Sequence, residues 1–344
     1  MKENKIIIDL DNTITLDSKN LGYEEKLLNE EVREAISNAK RDHDIIIFTA
    51  RNMLTLKGDL KKIKSITKPI AEEWLSQNNV YYDELIFGKP FCGKFGAYVD
   101  DKGVSIDEFV FKFNGPFRDK TIDIVIPFFN EEKNIINVYN DVKRLERIFK
   151  INSFIFVNNG STDNSQLVFD DLENRDVKVK VLKIKKNIGY GYGIKLGLNQ
   201  ASSDYILINH SDSQFDTFSF FLTHINFLSK LQKADSIFSV RKNRPIKDYI
   251  ITLFLRIILS LILLKRVNEF NGQPKLIKNK FSKKNIDSFP DDFSLDFALY
   301  KFLNPKYFLP VIQKVRLSGV SSWSGSFVKS FKILIMYIFE ALKK

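Results

Sequence analysis

Apolar and polar positions follow two rhythms along this chain. Ile6–Ile8, Ile45–Phe48, Ile122–Ile126, Phe154–Val157, Val179–Ile184 and Tyr205–Ile208 are short runs rich in β-branched residues, each closed by polar or turn residues. That is the pattern of buried strands. Longer stretches with helical spacing lie between them, one running to about Lys150 and another opening at Gly189-Tyr190-Gly191-Tyr192-Gly193 and continuing to about Ala201. Strands alternating with helices predict an α/β fold with a mostly parallel sheet, whose ligands bind at the carboxyl ends of the strands. The turn-rich segment Asn114-Gly115-Pro116-Phe117-Arg118-Asp119-Lys120 breaks the rhythm. It divides the chain into a domain over 1–116, a second over 117–330, and a basic, apolar tail over 331–344.

Two later stretches, Tyr249–Leu264 and Phe327–Leu342, are almost wholly apolar. Both fall short of the ~20 residues a bilayer crossing needs, and Arg256 interrupts the first. Arg241, Lys242, Arg244 and Lys247 precede that stretch, and Lys265 and Arg266 follow it. This composition suits a helix lying in the headgroup region of an anionic membrane. The expected location is therefore cytoplasmic and peripheral, on the inner face of the cell membrane.

Composition narrows the picture. A chain of 344 residues suggests about two domains. With 44% hydrophobic residues it can fill packed cores, and its single cysteine, Cys92, excludes an internal disulfide framework. The opening apolar run is too short for a secretory signal and acids follow it at once. The net charge of +11 favours anionic partners. No zinc spacing, recognition helix or RNA-binding aromatic pattern is present, so nucleic acid is not among the expected ones.

Candidate chemistry begins at Asp9-Leu10-Asp11-Asn12-Thr13. Residues two apart in an extended segment project to one side, so Asp9 and Asp11 can share a pocket. Paired acids beside a phosphate require a cation such as Mg²⁺. One acid can then attack phosphorus while the other handles the proton. Thr49, Lys89 and the pair Asp100/Asp101 each follow a predicted strand and supply donors, positive charge and further metal ligands. Lys94 competes with Lys89 for the lysine role. In this order the motifs resemble those of haloacid dehalogenase-like (HAD) phosphatases, closest to the small enzymes of capsule and polysaccharide loci. The resemblance implies a HAD-like Rossmannoid domain with a minimal cap and Mg²⁺-dependent hydrolysis of a phosphorylated sugar or similar phosphomonoester. Asp9 would be the nucleophile, Asp11 the general acid/base, Thr49 and Lys89 phosphate ligands, and Asp100 or Asp101 would complete the metal site with Asp9 and Asp11.

In the second half, Ile126-Pro127-Phe128-Phe129-Asn130-Glu131, Asn159-Gly160-Ser161-Thr162-Asp163, Asn187 with the glycine loop, and Asp212 with Gln214 follow successive strands. Together they resemble family 2 glycosyltransferases of the GT-A fold. The resemblance implies sugar transfer from a nucleoside diphosphate sugar to a glycan or lipid-linked acceptor, with Mn²⁺ or Mg²⁺ bound. Pro127, Asn130, Glu131, Asn159, Asp163, Asn187, Gly189 and Lys195 would hold the donor, and Arg316 would clamp the diphosphate. A weaker likeness to dolichyl-phosphate mannose synthase-like enzymes raises a polyprenyl phosphate as acceptor.

Two positions depart from the family pattern. Asn158-Asn159 stands where an acid pair is usual, which admits uridine or cytidine because an amide can donate or accept. His210-Ser211-Asp212 replaces the usual Asp-x-Asp, and an imidazole beside one carboxylate tilts the site toward Mn²⁺. Either both residues ligate the metal or Asp212 does so alone. A hydroxyl acceptor would need a base, and Asp292 is the choice over Asp291 and Glu269; a phosphate acceptor would need none. The expected protein is a bifunctional phosphatase and glycosyltransferase of surface-polysaccharide assembly. A non-catalytic scaffold role for one half is the rival from another class.

Overall fold

The computed structural model describes residues 2–16, 21–93, 97–98, 100, 102–231, 236–303, 307–314 and 327–343. The chain divides into two compact units, residues 1–118 with 225–231, and residues 119–224 with 232–344.

The first unit is built on a parallel sheet in the order β1 (Asn4–Ile8), β2 (His43–Thr49), β3 (Glu84–Phe87). Helices α1 (Glu30–Ala39), α2 (Leu60–Gln77) and α3 (Ile106–Asn114) accompany it. Asn29 caps α1 by accepting the Val32 N–H, and Glu30 and Glu31 in its first turn face the positive end of the helix dipole. Val32, Ala35, Ile36 and Ala39 then fall on one buried face. They share a core with Ile45 and Ile47 of β2 and Trp74 and Leu75 of α2. The run Ile6–Ile8 is not buried on both faces as its composition suggests: among the described residues β1 pairs with β2 alone, and Ile7 is exposed while Ile8 is buried.

The second unit carries a mixed seven-stranded sheet in the order β10-β8-β9-β7-β4-β5-β6. Its strands are β4 (Thr121–Phe128), β5 (Lys150–Asn159), β6 (Val179–Ile184), β7 (Tyr205–Ile208), β8 (Ile237–Lys242), β9 (Gly272–Lys278) and β10 (Tyr307–Ile312). Only β9 runs antiparallel to its neighbours β7 and β8. Gly272-Gln273-Pro274-Lys275 does not read as a strand, because its buried polar residues break any apolar pattern. The helices are α4 (Ile135–Lys143), α5 (Ser165–Arg175), α6 (Tyr190–Gln200), α7 (Thr217–Thr223), α9 (Ile246–Leu263), α10 (Lys283–Ser288), α11 (Leu295–Leu303) and α12 (Phe327–Leu342), while α8 (Ile225–Ser229) falls in the first unit. The helix expected to reach Lys150 ends at Lys143 and a 3₁₀ turn, Arg144–Arg147, leads into β5. Gly197 lets α6 lie directly on β4, since a Cβ there would come within 2.2 Å of Val125 Cγ1.

The core of this unit joins Val125, Ile155 and Ile206 of the sheet to Leu255 and Leu259 of α9, Phe297 of α11, and Ile333 and Tyr337 of α12. The segment after 331 is thus part of the core and not a separate tail. The opposite face of α9 exposes Ile246, Ile250, Phe254, Ile257 and Leu261. Among the described residues no helix is long and apolar enough to cross a membrane.

Asp123 is buried in β4. Its Oδ1 accepts from Asn152 Nδ2 (2.9 Å) and Ser153 Oγ (2.5 Å), and its Oδ2 accepts the N–H groups of Ser202 (2.8 Å) and Ser203 (2.9 Å). Burial alone would raise its pKa, but these bonds outweigh it and hold the carboxyl below its ordinary value. A carboxyl lowered by folding stabilises the native state above its unfolded pKa, and that contribution is lost as pH falls through the folded one. Asp123→Asn should therefore cost about 1–3 kcal/mol at pH 7 in urea denaturation, and the gap to wild type should narrow below about pH 4.

Candidate functional site

A cavity of about 550 Å³ opens at the carboxyl ends of β4, β5 and β7. Pro127, Phe129 and Glu131 enter it from the segment closing β4, Asn159 from the end of β5, Asn187, Gly189 and Tyr190 from the turn into α6, and His210 and Asp212 from the turn after β7. Gly189 has φ +152°, and a Cβ there would stand 2.4 Å from the Asp291 carbonyl oxygen, so this turn requires glycine.

The two asparagines at the end of β5 do different things. Asn158 holds the following turn, its amide donating to Gln166 Oε1 (2.9 Å) and its oxygen accepting the Ser161 N–H (3.0 Å). Asn159 lines the cavity and donates Nδ2 to the Gly189 carbonyl at 2.8 Å. A carbonyl only accepts, so this bond fixes the amide's orientation. It leaves Asn159 Oδ1 buried and without a partner among the described residues.

A buried network forms the wall beyond His210. The Tyr190 hydroxyl lies 3.2 Å from His210 Nε2 and 3.2 Å from Asp296 Oδ2, and Asp296 Oδ1 accepts from Lys275 Nζ at 2.9 Å. Burial lowers the His210 pKa and raises that of Tyr190 well above its usual value. His210 is therefore a neutral imidazole near pH 7. It stands two residues from the Asp212 carboxylate, itself buried and accepting the Gln214 N–H at 3.2 Å. Among the described residues no third His, Cys, Asp or Glu joins them in a cluster able to hold a metal. One imidazole and one carboxylate nonetheless fit a divalent ion whose other ligands are diphosphate oxygens and water.

Two arginines complete the cavity. Arg241 places Nε 2.6 Å and Nη2 2.5 Å from Glu269 Oε1, while Arg244 Nη1 is 3.6 Å from the same oxygen and donates to Thr252 Oγ1 at 2.8 Å. Burial and the Arg241 charge push Arg244 down to about 10, still protonated at neutral pH. Asp248, which also lines the cavity, acts on Arg244 alongside Glu269. Both arginines read in the sequence as the basic flank of an apolar helix, and the fold turns them into the cavity. Asp296 and Tyr190 likewise had no sequence signal beyond lying near expected motifs.

Several expected donor contacts are elsewhere. Asn130 takes the left-handed conformation (φ +54°), donates its N–H to Ser161 Oγ and accepts the Thr162 N–H, so it shapes a turn outside the cavity lining. Asp163 accepts the Ser165 and Glu132 N–H groups. Lys195 binds the Phe289 carbonyl and Asp291 Oδ1, pinning that loop. Asp292 does not line the cavity: its Oδ1 accepts from the N–H (2.8 Å) and hydroxyl (2.6 Å) of Ser294. The acid of that segment that does line it is Asp296. Arg316 lies outside the described residues.

In the first unit, β1 ends at Ile8 and the chain turns sharply, with Asp11 extended (φ −78°, ψ 132°) and Asn12 left-handed (φ +59°). The strand ends before Asp9, so strand alternation does not place the pair. Asp9 accepts the Leu10 N–H at 2.9 Å and Lys89 Nζ at 2.5 Å. Asp11 takes Arg51 Nε on both oxygens, at 3.0 and 3.1 Å. Burial raises the Asp11 pKa against the pull of Arg51, and the Asp9 charge adds to the rise. Thr49 is buried at the end of β2, its hydroxyl oxygen accepting the Arg51 N–H and its carbonyl the Lys89 N–H. Asp9, Asp11, Thr49 and Lys89 are thus brought together. Asp100 is not: it is exposed, accepts the Lys102 N–H, and forms no three-acid cluster with them. Asp101 and Lys94 lie outside the described residues. Two carboxylates still fit Mg²⁺, which needs only one or two alongside phosphate oxygen and water.

Comparison with known proteins bears on the second unit. The family model described as glycosyl transferase family 2 matches residues 123–275. An uncharacterized protein of Methanocaldococcus jannaschii is 30% identical over 149 residues, 41% of this chain and 61% of that one. A prophage bactoprenol glucosyl transferase homolog of Escherichia coli is 31% identical over 87 residues, 25% of this chain and 28% of that one. The chain thus spans less than two thirds of the length of either of these curated relatives. A solved structure, glucosyl-3-phosphoglycerate synthase of Mycobacterium tuberculosis with Mn²⁺, UDP and glucosyl-3-phosphoglycerate, is 16% identical, covers 65% of this chain and 80% of that one, and has a TM-score of 0.48. Residues 123–275, which contribute Pro127, Asn159, His210, Asp212 and both arginines to the cavity, match the family 2 glycosyltransferase model.

Proposed function

We propose that the second unit is a GT-A transferase that moves a sugar from a uridine diphosphate donor to a phosphate-terminated lipid acceptor. The observation that carries this reading is one cavity lined by Asn159, His210 and Asp212 together with Arg241 and Arg244. Asn159 Oδ1 is buried and unpartnered among the described residues, and a base that opened this wall of the cavity would meet it with the N3–H of uracil, whereas cytosine offers only an acceptor there. A metal held by His210 or Asp212, or by both, would draw charge off the leaving diphosphate. The arginines suit a phosphate through charge and planar donors. An anionic phosphate oxygen of the acceptor attacks the anomeric carbon, the bond from that carbon to the diphosphate breaks, and UDP departs with no proton to remove. The engagement of Asp291, Asp292 and Glu269 with Lys195, Ser294 and the arginines agrees with a reaction that needs no base. The exposed apolar face of α9, beside exposed Lys242, Lys265 and Arg266, supports action at an anionic membrane surface. The bactoprenol glucosyl transferase name of the Escherichia coli relative points the same way.

We further propose that the first unit is a HAD-like phosphomonoesterase, making the protein a bifunctional enzyme of surface-polysaccharide assembly. The convergence of Asp9, Asp11, Thr49 and Lys89 supports this. Asp9 attacks phosphorus while the ester oxygen leaves with the proton of Asp11. Water then attacks the aspartyl phosphate, gives its proton to Asp11, and releases inorganic phosphate with Asp9 restored. Mg²⁺ bound to Asp9 and the Asp11 segment would neutralise phosphoryl charge, alongside Lys89.

The two activities should separate. Asp9→Asn should lower phosphatase turnover at least about a thousandfold and spare transfer, and Asp212→Ala should do the reverse; an unaffected cognate reaction removes that assignment. In calorimetry with Mn²⁺, UDP should bind about tenfold or more tighter than CDP, a preference that Asn159→Ala erases. Arg241→Ala should raise the KM for a polyprenyl phosphate by about 10- to 100-fold with UDP affinity unchanged, and the corresponding free alcohol should not be glycosylated.

A further inference from the structure

We infer that Arg51 is the positioning residue of the first unit's pocket, holding Asp11 in the orientation from which it protonates the departing ester oxygen. This rests on the phosphatase reading above. The Arg51 side chain is wholly buried, and among the described residues Asp11 is the only acid it pairs with. Its Nε bridges both Asp11 oxygens, while Nη1 and Nη2 are sealed from solvent and have no hydrogen-bond partner among the described residues. The Tyr23 ring lies 4.6 Å from the guanidinium carbon, which places a π face over a cation that lacks other company.

A buried charge with one anionic partner constrains that partner strongly, because neither can be left alone in a low-dielectric setting. With both Nη atoms enclosed, the guanidinium has no free edge with which to grip a substrate. It acts through Asp11. The Asp11 side chain, by contrast, keeps about a third of its surface exposed, and that open part is where a leaving group can meet it. Local backbone agrees: Asp11 lies beyond the end of β1 at Ile8, and Arg51 has its own N–H fixed on Thr49 Oγ1. Lys89 holds Asp9 in the same way, so each pocket acid has its own cation, and only the lysine keeps part of its surface exposed.

The test compares two esters of similar shape on full-length protein with Mg²⁺. The p-nitrophenolate of p-nitrophenyl phosphate leaves without a proton, whereas the phenolate of phenyl phosphate needs one far more. Arg51→Met should lower kcat on phenyl phosphate by about 100-fold, at least tenfold more than on p-nitrophenyl phosphate, with KM unchanged and partial rescue in Arg51→Lys. Both rates come from one preparation, so their ratio does not depend on how much of the variant folds. A second readout uses metal-free protein: Asp11→Asn should lower Tm by about 4 °C or more, and adding Arg51→Met should recover part of the loss. Equal losses on the two esters, a change confined to KM, or additive Tm shifts would each overturn the role. Wild-type protein that hydrolyses neither ester would remove the phosphatase reading and this role with it. That result is distinct from an active wild type whose two rates fall together in the variant.

Discussion

A fully buried lysine on β9 organises the larger unit. Lys275 has no exposure to solvent, and Asp296 of α11 answers its charge at 2.9 Å. Burial lowers the Lys275 pKa while Asp296 opposes that shift. An ion pair at this depth is tolerated only with good geometry and further hydrogen bonds. Tyr190 supplies one to Asp296 and passes the contact on to His210. The strand, two helices and the turn after β7 that wall the cavity are thereby tied through one polar chain, whose members point the same way because none can be left unpaired.

Each unit solves the same electrostatic problem. A site that will take phosphate oxygens needs cations, and cations withdrawn from water need anions until a ligand arrives. In the larger unit Glu269 serves Arg241 and Arg244. In the smaller one Asp9 serves Lys89, and Asp11 serves Arg51. The balance differs. Two arginines share one carboxylate at the cavity, with Asp248 also acting on Arg244, and their planar donors suit an anionic acceptor. The two pairs of the smaller unit cancel, so its attraction for a phosphoryl group rests on a bound divalent ion together with Lys89.

Much of the architecture was legible because strand ends announce themselves. An apolar run closed by Pro127, Asn159 or His210 marks both the strand and the edge where ligands collect, since backbone direction and burial are local properties. The kinked turn at Asp11 and Asn12 and the antiparallel β9 were not legible. The first depends on a left-handed asparagine that a strand-like pattern conceals, the second on buried polar groups whose partners are distant in the chain. Asn130, Asp163 and Lys195 are not among the residues lining the cavity for a related reason. Each of these residues satisfies nearby backbone or loop groups, and a motif does not say whether a polar side chain faces its own turn or the cavity.

The order of residues alone was enough to establish two α/β halves, the acid pair near the start, and the family 2 motifs from Ile126 to Asp212. These rest on periodicity and on short spacings that one strand and its following turn contain. Folding in three dimensions assigned the work within each site. It turned Arg241 and Arg244 inward, put Asp296 where Asp292 was expected, drew α12 into the core and set Arg51 on Asp11. Each outcome follows from pairing charges that sit tens of residues apart, a requirement that exists only once those charges have been removed from water.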